Sequence, residues 1–186
     1  MHEHLIWLRG DPARPPDASV IVPVNAQGDL ENILVLLADI VRYDGRYLFE
    51  VILVINNYPP SDPPPEIAHY GRLELKVVSI SDVRRAGEAV GFTARIPGLR
   101  VATSENAILW DADCRIPNPT ALIDWYINAF KAGAQLAYTR VDFHSFCNLW
   151  SVRCKILIHH FARWVKRVIL HIPTNRGSNY AVKRSM

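Results

Sequence analysis

Hydrophobic and polar residues alternate along the chain in blocks that predict buried strands separated by amphipathic helices. Short runs rich in β-branched residues, bounded by turn-forming residues, are typical of buried strands. Such runs are Ala18 to Val24, Phe49 to Ile55, Leu73 to Ile80, Ala107 to Trp110 and Leu136 to Phe143. Apolar residues spaced three and four apart predict helices over Asp29 to Tyr43, Gly87 to Ser104, Pro119 to Lys131 and about Cys147 to His171. Pro97 and Gly98 are expected to kink or split the second helix.

The order of these elements predicts an α/β fold with a mostly parallel central sheet flanked by helices. The first 17 residues are expected to form a loose leader, and residues 18–186 a single domain. Open parallel sheets bind ligands beyond the carboxyl ends of their strands. Asn25, Asn56, Asn57 and Asp111 fall at such ends, so the sequence predicts a polar ligand site at that edge of the sheet.

The composition is that of a folded domain. Of the 186 residues, 49% are hydrophobic and 21% charged, which is unlike a disordered chain. No uncharged stretch reaches the roughly 18 residues that cross a membrane, and the first residues lack the apolar run of a signal peptide. Cys114, Cys147 and Cys154 lack the paired spacing of a zinc site or a disulfide framework. We therefore expect reduced thiols and a cytoplasmic location.

The positive charge is concentrated in the last quarter of the chain. The net charge is +3, but residues 143–186 hold eight Lys or Arg and no Asp or Glu. A basic segment of this kind favours an anionic partner, and phosphate groups, acidic lipid headgroups and nucleic acid all fit that description.

The last predicted helix combines an apolar stripe with a basic arc. The stripe consists of Trp150, Cys154, Leu157, Phe161, Trp164, Val168 and Ile172. The arc consists of Arg153, Lys155, His159, His160, Arg163, Lys166 and Arg167. The commoner interpretation is a helix that packs on the core with a solvated basic face, and it is preferred for the inner half of the stripe. A basic amphipathic helix with tryptophan can also lie in a membrane interface, so peripheral contact at the inner face of a membrane stays open.

Asp111-Ala112-Asp113 is the candidate metal site. Two carboxylates one residue apart can share Mg²⁺ or Mn²⁺, which prefer oxygen ligands. The tripeptide alone is common by chance. Its position directly after the buried strand Ala107 to Trp110 delivers both acids to the ligand edge of the sheet, and this favours the functional interpretation.

Four segments in the same order carry a resemblance to a known family. Ser19 to Val24 resembles the family's opening strand, and Ala94-Arg95 resembles the start of its Ala-Arg-Asn segment. The segment from Gly98 to Asp113 resembles a helix followed by a strand and Asp-x-Asp. The segment from Gly177 to Arg184 resembles the sequence Gly-Gly-Asn-x-Ala-x-Arg-Arg. Together they resemble the inverting family 2 glycosyltransferases of GT-A fold, from residue 18 onward.

The resemblance implies a Rossmann-like nucleotide-sugar-binding half over residues 18–113 and the start of an acceptor half over residues 114–186. It implies a transferase that binds a nucleoside-diphosphate sugar through Mn²⁺ or Mg²⁺ and passes the sugar to a hydroxyl acceptor, either a glycan or lipid-linked, with no nucleic acid partner. The implied metal ligands are Asp111 and Asp113. The implied donor-binding residues are Pro23, Val24, Asn25, Asn57, Arg95 and Asp111. The implied acceptor-side residues are Asn175, Arg176, Gly177, Ser178 and Asn179.

The chain also departs from the family pattern. Asn25 stands where an aromatic residue is usual, Asn56-Asn57 replace an Asp pair, and Ile96 replaces the Asn of Ala-Arg-Asn. No acidic residue follows Asp142, so the carboxylate that takes the acceptor's proton is missing and the chain is expected to be incomplete. Two alternatives therefore stay open. One is a catalytically incomplete relative or fragment that binds donor or membrane without turnover, and the other is a nucleotidyltransferase.

Overall fold

The computed structural model describes residues 3–6, 14–56, 75–80, 90–139, 150–171 and 179–185. Its centre is a seven-stranded sheet in the order β1-β4-β3-β2-β5-β7-β6. The strands are β1 (Glu3–Ile6), β2 (Ala18–Asn25), β3 (Phe49–Asn56), β4 (Leu75–Ile80), β5 (Asn106–Trp110), β6 (Leu136–Tyr138) and β7 (Asn179–Lys183). The described helices are α1 (Leu30–Val41), α2 (Val90–Val101), α3 (Pro119–Lys131) and α4 (Trp150–Trp164), the last continued by a π-helical turn over Val165–Ile169.

The strand directions confirm the predicted α/β class. β2 runs parallel to β3 and β5, and β3 runs parallel to β4. β7 is antiparallel to both β5 and β6, and β1 is antiparallel to β4. Five of the seven described strands therefore point the same way, so that β2, β3 and β5 end at one edge of the sheet.

Both faces of the central strands are buried, which explains their continuous hydrophobic runs. On one face, Val20, Val22 and Leu53 belong to a core with residues of α1 and α3. On the other face, Ile21 and Val54 belong to a second core with residues of α2.

Helix α2 runs through Pro97 and Gly98 as one helix, so these residues do not split it, and the predicted kink stays a prediction. Gly98 allows the helix to lie directly on the sheet, because a Cβ there would be 2.5 Å from Ile21 Cγ2 and 2.9 Å from Val54 Cγ2. The helix ends at Val101, three residues earlier than predicted. The buried Glu50 carboxylate accepts hydrogen bonds from the Thr103 N–H (2.6 Å) and hydroxyl (2.8 Å), in place of a further helical turn.

Two strands were not predicted. The loose leader is wrong over Glu3–Ile6, because these residues pair with β4 from Glu3↔Val78 to Ile6↔Leu75. Asn179 begins the second, β7, which lies between β5 and β6. Both strands are short, and their positions depend on hydrogen bonds to strands distant in the sequence rather than on a local pattern.

The chain forms two compact units. One consists of Met1–Tyr138 with Gly177–Met186 and contains the sheet, and the other is Thr139–Arg176, which contains α4. The predicted single domain over residues 18–186 and its boundary between residues 113 and 114 stay predictions. Among the described helices, none is long and apolar enough to cross a membrane.

The apolar stripe of α4 is exposed to solvent. Trp150 is 77% exposed, Leu157 73%, Phe161 64% and Trp164 51%, while Cys154 is half-buried. The Phe161 and Trp164 rings stack with centroids 6.0 Å apart. The predicted packing of the inner half of this stripe on the core stays a prediction.

Candidate functional site

A cleft of about 250 Å³ lies at the edge where β2, β3 and β5 end. It is lined by Pro23, Val24, Asn25, Asp29, Asn56, Ala94, Asp111, Ala112 and Asp113. The fold thus brings together the end of each central strand, as the α/β pattern predicts. Of the sequence-predicted residues, Pro23, Val24, Asn25, Asn56, Asp111 and Asp113 meet here.

A tight turn shapes the β2 side of the cleft. Asn25 Oδ1 accepts a hydrogen bond from the Gln27 N–H (3.2 Å), and the Asn25 carbonyl accepts from the Gly28 (3.1 Å) and Asp29 (2.8 Å) N–H groups. Asp29 Oδ2 in turn accepts from the Asn25 N–H at 3.1 Å. The turn therefore holds Asn25 and Asp29 at the mouth of the cleft, with a carboxylate directly before α1.

The strand pattern placed Asn56 at the ligand edge of the sheet, but the resemblance did not include it among the donor-binding residues. Asn56 is 2% exposed and lines the cleft, yet neither Oδ1 nor Nδ2 has a hydrogen-bond partner among the residues that the structure describes. A buried amide without a partner costs free energy, so a ligand that accepted from and donated to it would be bound favourably. The resemblance selected Asn57, which lies outside the described residues.

Asp111 pairs with Arg95 at the end of β5. The Arg95 guanidinium, whose side chain is 8% exposed, donates to Asp111 Oδ1 and lies over the Tyr180 ring. Burial raises the pKa of Asp111, the charge of Arg95 opposes that rise, and the carboxylates of Asp113 and Asp29 add to it. The carboxylates of Asp29, Asp111 and Asp113 therefore lie near one another at the cleft, and Arg95 pairs with one of them. A bound cation would reduce the repulsion between these negative charges.

The donor set fits an open site for a hard divalent cation. Within the described ranges, no group of three or more His, Cys, Asp or Glu side chains forms a closed metal site. Mg²⁺-type sites commonly use one or two carboxylates and complete the coordination with phosphate oxygens and water. Asp111 and Asp113, which is exposed, supply oxygens of that kind. Mn²⁺ accepts the same ligands.

Asn179 is placed beside Asp111 but its amide oxygen is engaged in the core. It pairs with Trp110 across β5 and β7. Its Oδ1 accepts from Trp110 Nε1 at 2.8 Å and from the Tyr126 hydroxyl at 2.8 Å. The structure thus gives Asn179 a structural role, and its predicted acceptor-side role stays a prediction. Asn175, Arg176, Gly177 and Ser178 lie outside the described residues.

Comparison with known proteins identifies the fold. No protein-family model and no curated protein matches the sequence. Among solved structures, the mannosyltransferase PcManGT from Pyrobaculum calidifontis, in complex with GDP-Man and Mn²⁺, is 24% identical with a TM-score of 0.55, over 96% of this chain and 47% of its own. The chain therefore spans about half the length of that protein.

Two further structures show the same arrangement. S. aureus TarS (residues 1–349), in complex with UDP, is 22% identical with a TM-score of 0.51, over 70% of this chain and 38% of its own. A 4-diphosphocytidyl-2C-methyl-D-erythritol synthase from Anaerococcus prevotii is 14% identical with a TM-score of 0.51, over 90% of this chain and 70% of its own. At these identities the likeness establishes a mixed α/β fold of GT-A type.

Proposed function

We propose that this chain carries the donor and metal site of a glycosyltransferase, which takes a sugar from a nucleoside-diphosphate sugar and gives it to a hydroxyl acceptor. One observation carries the proposal. Asp111 and Asp113 share a cleft with the buried amide of Asn56, whose polar atoms find no partner among the described residues. Carboxylates suit a cation with its diphosphate, and an amide suits the polar edge of a nucleobase.

Each side of the cleft would bind one part of the donor. Pro23, Asn25 and Asn56 would border the base, and Asn57 would contact it from the following position. Asp111 would face the ribose and the sugar, with Asp113 as the main cation ligand. When bound, the divalent cation would stabilise the negative charge of the diphosphate as it leaves.

Arg95 has a different immediate role from the one that the resemblance implies. It holds the Asp111 carboxylate, which keeps that group oriented toward the cleft in the absence of a cation. Its buried Nε has no partner among the described residues, so contact with a diphosphate oxygen remains part of the proposal.

The acceptor hydroxyl would attack the anomeric carbon from the face opposite to the leaving diphosphate, with inversion. The segment from Asn175 to Asn179 would flank the acceptor, which is a glycan or a lipid-linked sugar. No described carboxylate is assigned to remove the proton of the hydroxyl, so the proposal rests on the donor side of the site.

Calorimetry and thermal unfolding with UDP or GDP and Mn²⁺ test the donor site. A ligand at 100 times its Kd stabilises the folded state by about 2.7 kcal/mol, so a clear rise in Tm is expected. Asp113→Ala should remove the Mn²⁺-dependent part of the rise. Asp44→Ala, which alters an exposed carboxylate hydrogen-bonded to Thr120, should keep it. Absence of both heat and shift with either nucleotide would overturn the proposal.

The two alternatives differ from this proposal in what they predict. A catalytically incomplete relative would bind nucleotide and Mn²⁺ but neither hydrolyse nor transfer the sugar of any nucleotide sugar. A nucleotidyltransferase, the class of one structural neighbour, usually has a glycine- and lysine-containing loop after its first strand. Here residues 23–32 contain one Gly and no Lys, and the turn presents Asp29 instead. Release of pyrophosphate from a nucleoside triphosphate would favour that alternative.

We also propose that α4 contacts an anionic membrane surface. Its exposed Trp150 and Trp164 are amphipathic anchors, its exposed Lys155 and Lys166 carry the positive charge, and residues 143–186 contain no acid. Apolar side chains and positive charge together favour binding to acidic headgroups.

Sedimentation with vesicles tests this contact. The chain should pellet with phosphatidylglycerol vesicles and not with phosphatidylcholine vesicles. Trp164→Ser should weaken the binding, whereas Leu136→Ser, at an equally exposed position on β6 (51% for both side chains), should not. Equal recovery with both lipids, or no binding to either, would contradict the contact.

A further inference from the structure

A buried carboxylate on α1 makes contacts that packing of the helix alone does not require. Asp39 is 4% exposed, next to the buried Ile40 in an otherwise apolar helix face. Transferring a carboxylate to such a position costs several kcal/mol unless it is fully paired. An apolar side chain of similar size would pack against the core without that cost. Packing therefore does not explain the carboxylate, and its hydrogen bonds do.

Those contacts run to the segment that follows Asp111-Ala112-Asp113. Asp39 Oδ2 accepts from Arg115 Nε at 2.8 Å and from the Ile116 N–H at 2.9 Å. Asp39 Oδ1 accepts from Arg115 Nη2 at 3.2 Å and from Arg42 Nη2 at 2.8 Å. Arg42 Nη2 also donates to the Ile116 carbonyl at 3.1 Å. The N–H of Ile116 is therefore bound to Asp39 of α1, and its carbonyl to Arg42, the residue after the helix.

The loop with the carboxylates is thus held at two points. At its start, Asp111 continues β5, and the Asp111 carbonyl accepts from the Cys114 N–H at 3.1 Å. At its end, Ile116 is bound by Asp39 and Arg42. Asp113 lies between these points, three residues before the second one.

The charge of Asp39 is well compensated. Burial alone would raise the pKa of Asp39, but the hydrogen bonds from Arg115 and from the Ile116 N–H, with the charges of Arg115 and Arg42, leave it below its ordinary value. The ionised form is therefore the one that the surrounding groups favour.

We infer that Asp39 is a positioning residue for the cation site: through Arg115 and Ile116 it fixes the loop so that Asp113 lies where it can share one divalent cation with Asp111. This inference rests on the proposed function. Asp39 lies on a helix outside the cleft, and it would align the Asp113 carboxylate without touching the metal.

A titration with Mn²⁺ in the presence of UDP or GDP tests the role of Asp39. It compares the wild-type chain with Asp39→Asn and follows free Mn²⁺ by its electron paramagnetic resonance signal. Removing a group that is hydrogen-bonded to a metal ligand commonly costs 10- to 100-fold in metal affinity. Asp39 contacts the loop and not a ligand, so the Kd for Mn²⁺ should rise by up to about 10-fold. The metal-free affinity for the nucleotide, measured by calorimetry, should change little. A purely structural role would leave the two affinities unchanged or lower them together.

Two further variants complete the design. Arg115→Gln removes the Arg115 contacts while leaving Asp39 in place, and it should weaken Mn²⁺ binding in the same direction even if Asp39→Asn fails to fold. Asp44→Asn, an exposed carboxylate hydrogen-bonded to Thr120, is the matched control and should bind Mn²⁺ like the wild type.

The outcomes separate this inference from the proposed function. If the wild-type chain binds no Mn²⁺ with either nucleotide, the proposed function fails and this inference fails with it. If the wild type binds Mn²⁺ and both Asp39→Asn and Arg115→Gln bind it equally well, the inference alone is overturned.

Discussion

Single residues at the ends of strands decide the chemistry of this cleft. Asn56 and Asn57 are adjacent in the sequence, and Asn56 is the last residue of β3. The structure shows that the Asn56 side chain is buried and lines the cleft. A motif comparison cannot show this, because it compares residue types and not burial.

Asn56→Leu should raise stability while lowering nucleotide affinity. The substitution removes two buried polar atoms that have no partner among the described residues, each of which costs about 1–3 kcal/mol. Urea unfolding without ligand should show a gain of about 1 kcal/mol, and calorimetry should show a loss of affinity of about tenfold, equivalent to about 1.4 kcal/mol.

Asn128→Leu provides the contrast. Asn128 Oδ1 accepts from the hydroxyl of the buried Tyr47, so its loss should lower stability and leave nucleotide binding unchanged. If Asn56→Leu were destabilising in the same way and bound nucleotide normally, the assignment of Asn56 to the ligand would be wrong.

At the scale of elements, β7 supports the strand that leads into the acidic pair. The strand is inserted between β5 and β6, and Asn179 joins the Trp110 indole of β5 to the Tyr126 hydroxyl of α3. Both rings are fully buried. The end of β5, from which Asp111 extends, is therefore stabilised by three elements.

Asn179→Leu should destabilise the fold. It leaves the Trp110 and Tyr126 donors without their shared acceptor, at a cost of about 1–3 kcal/mol for each buried group. The midpoint of urea unfolding should fall by an amount equivalent to about 2 kcal/mol or more. Asn179→Asp keeps an acceptor oxygen and should lose less. A leucine variant as stable as the wild type would show that the two hydrogen bonds contribute nothing.

At the scale of the whole molecule, stability should depend on acid through the Asp39 network. The pKa of Asp39 is lower in the folded state than its ordinary value of 3.8. Its contribution is therefore complete above the unfolded-state pKa and is lost as the pH falls through the folded-state pKa. Wild-type stability should drop below about pH 4.

Urea unfolding at a series of pH values measures this dependence. Asp39→Asn should be less stable at neutral pH and should show a shallower loss below about pH 4. Asp44→Asn, which leaves the network intact, should keep the wild-type slope. Parallel curves for wild type and Asp39→Asn in the acid range would exclude Asp39 as a source of the acid sensitivity.

Local pattern was enough to predict the central elements and the position of the acidic pair. β2, β3, β5 and α3 agree with the hydrophobic periodicity to within a residue or so, because their buried faces repeat over many residues. Asp111 and Asp113 are at the expected edge for the same reason, since a buried strand of known direction leads directly into them.

Contacts between distant segments decided the rest. β1 and β7 exist through pairing with β4 and β5. Helix α2 lies close to the sheet at Gly98, where a Cβ would clash with Ile21 and Val54. Asp39 is bound to residues 76 and 77 positions later. The sequence by itself therefore determined the α/β class and the acidic pair, because these depend on local periodicity. Only the tertiary structure decided that the Asn56 amide is buried at the cleft and that Asp39 holds the acidic loop, because those features depend on packing and on hydrogen bonds between remote residues.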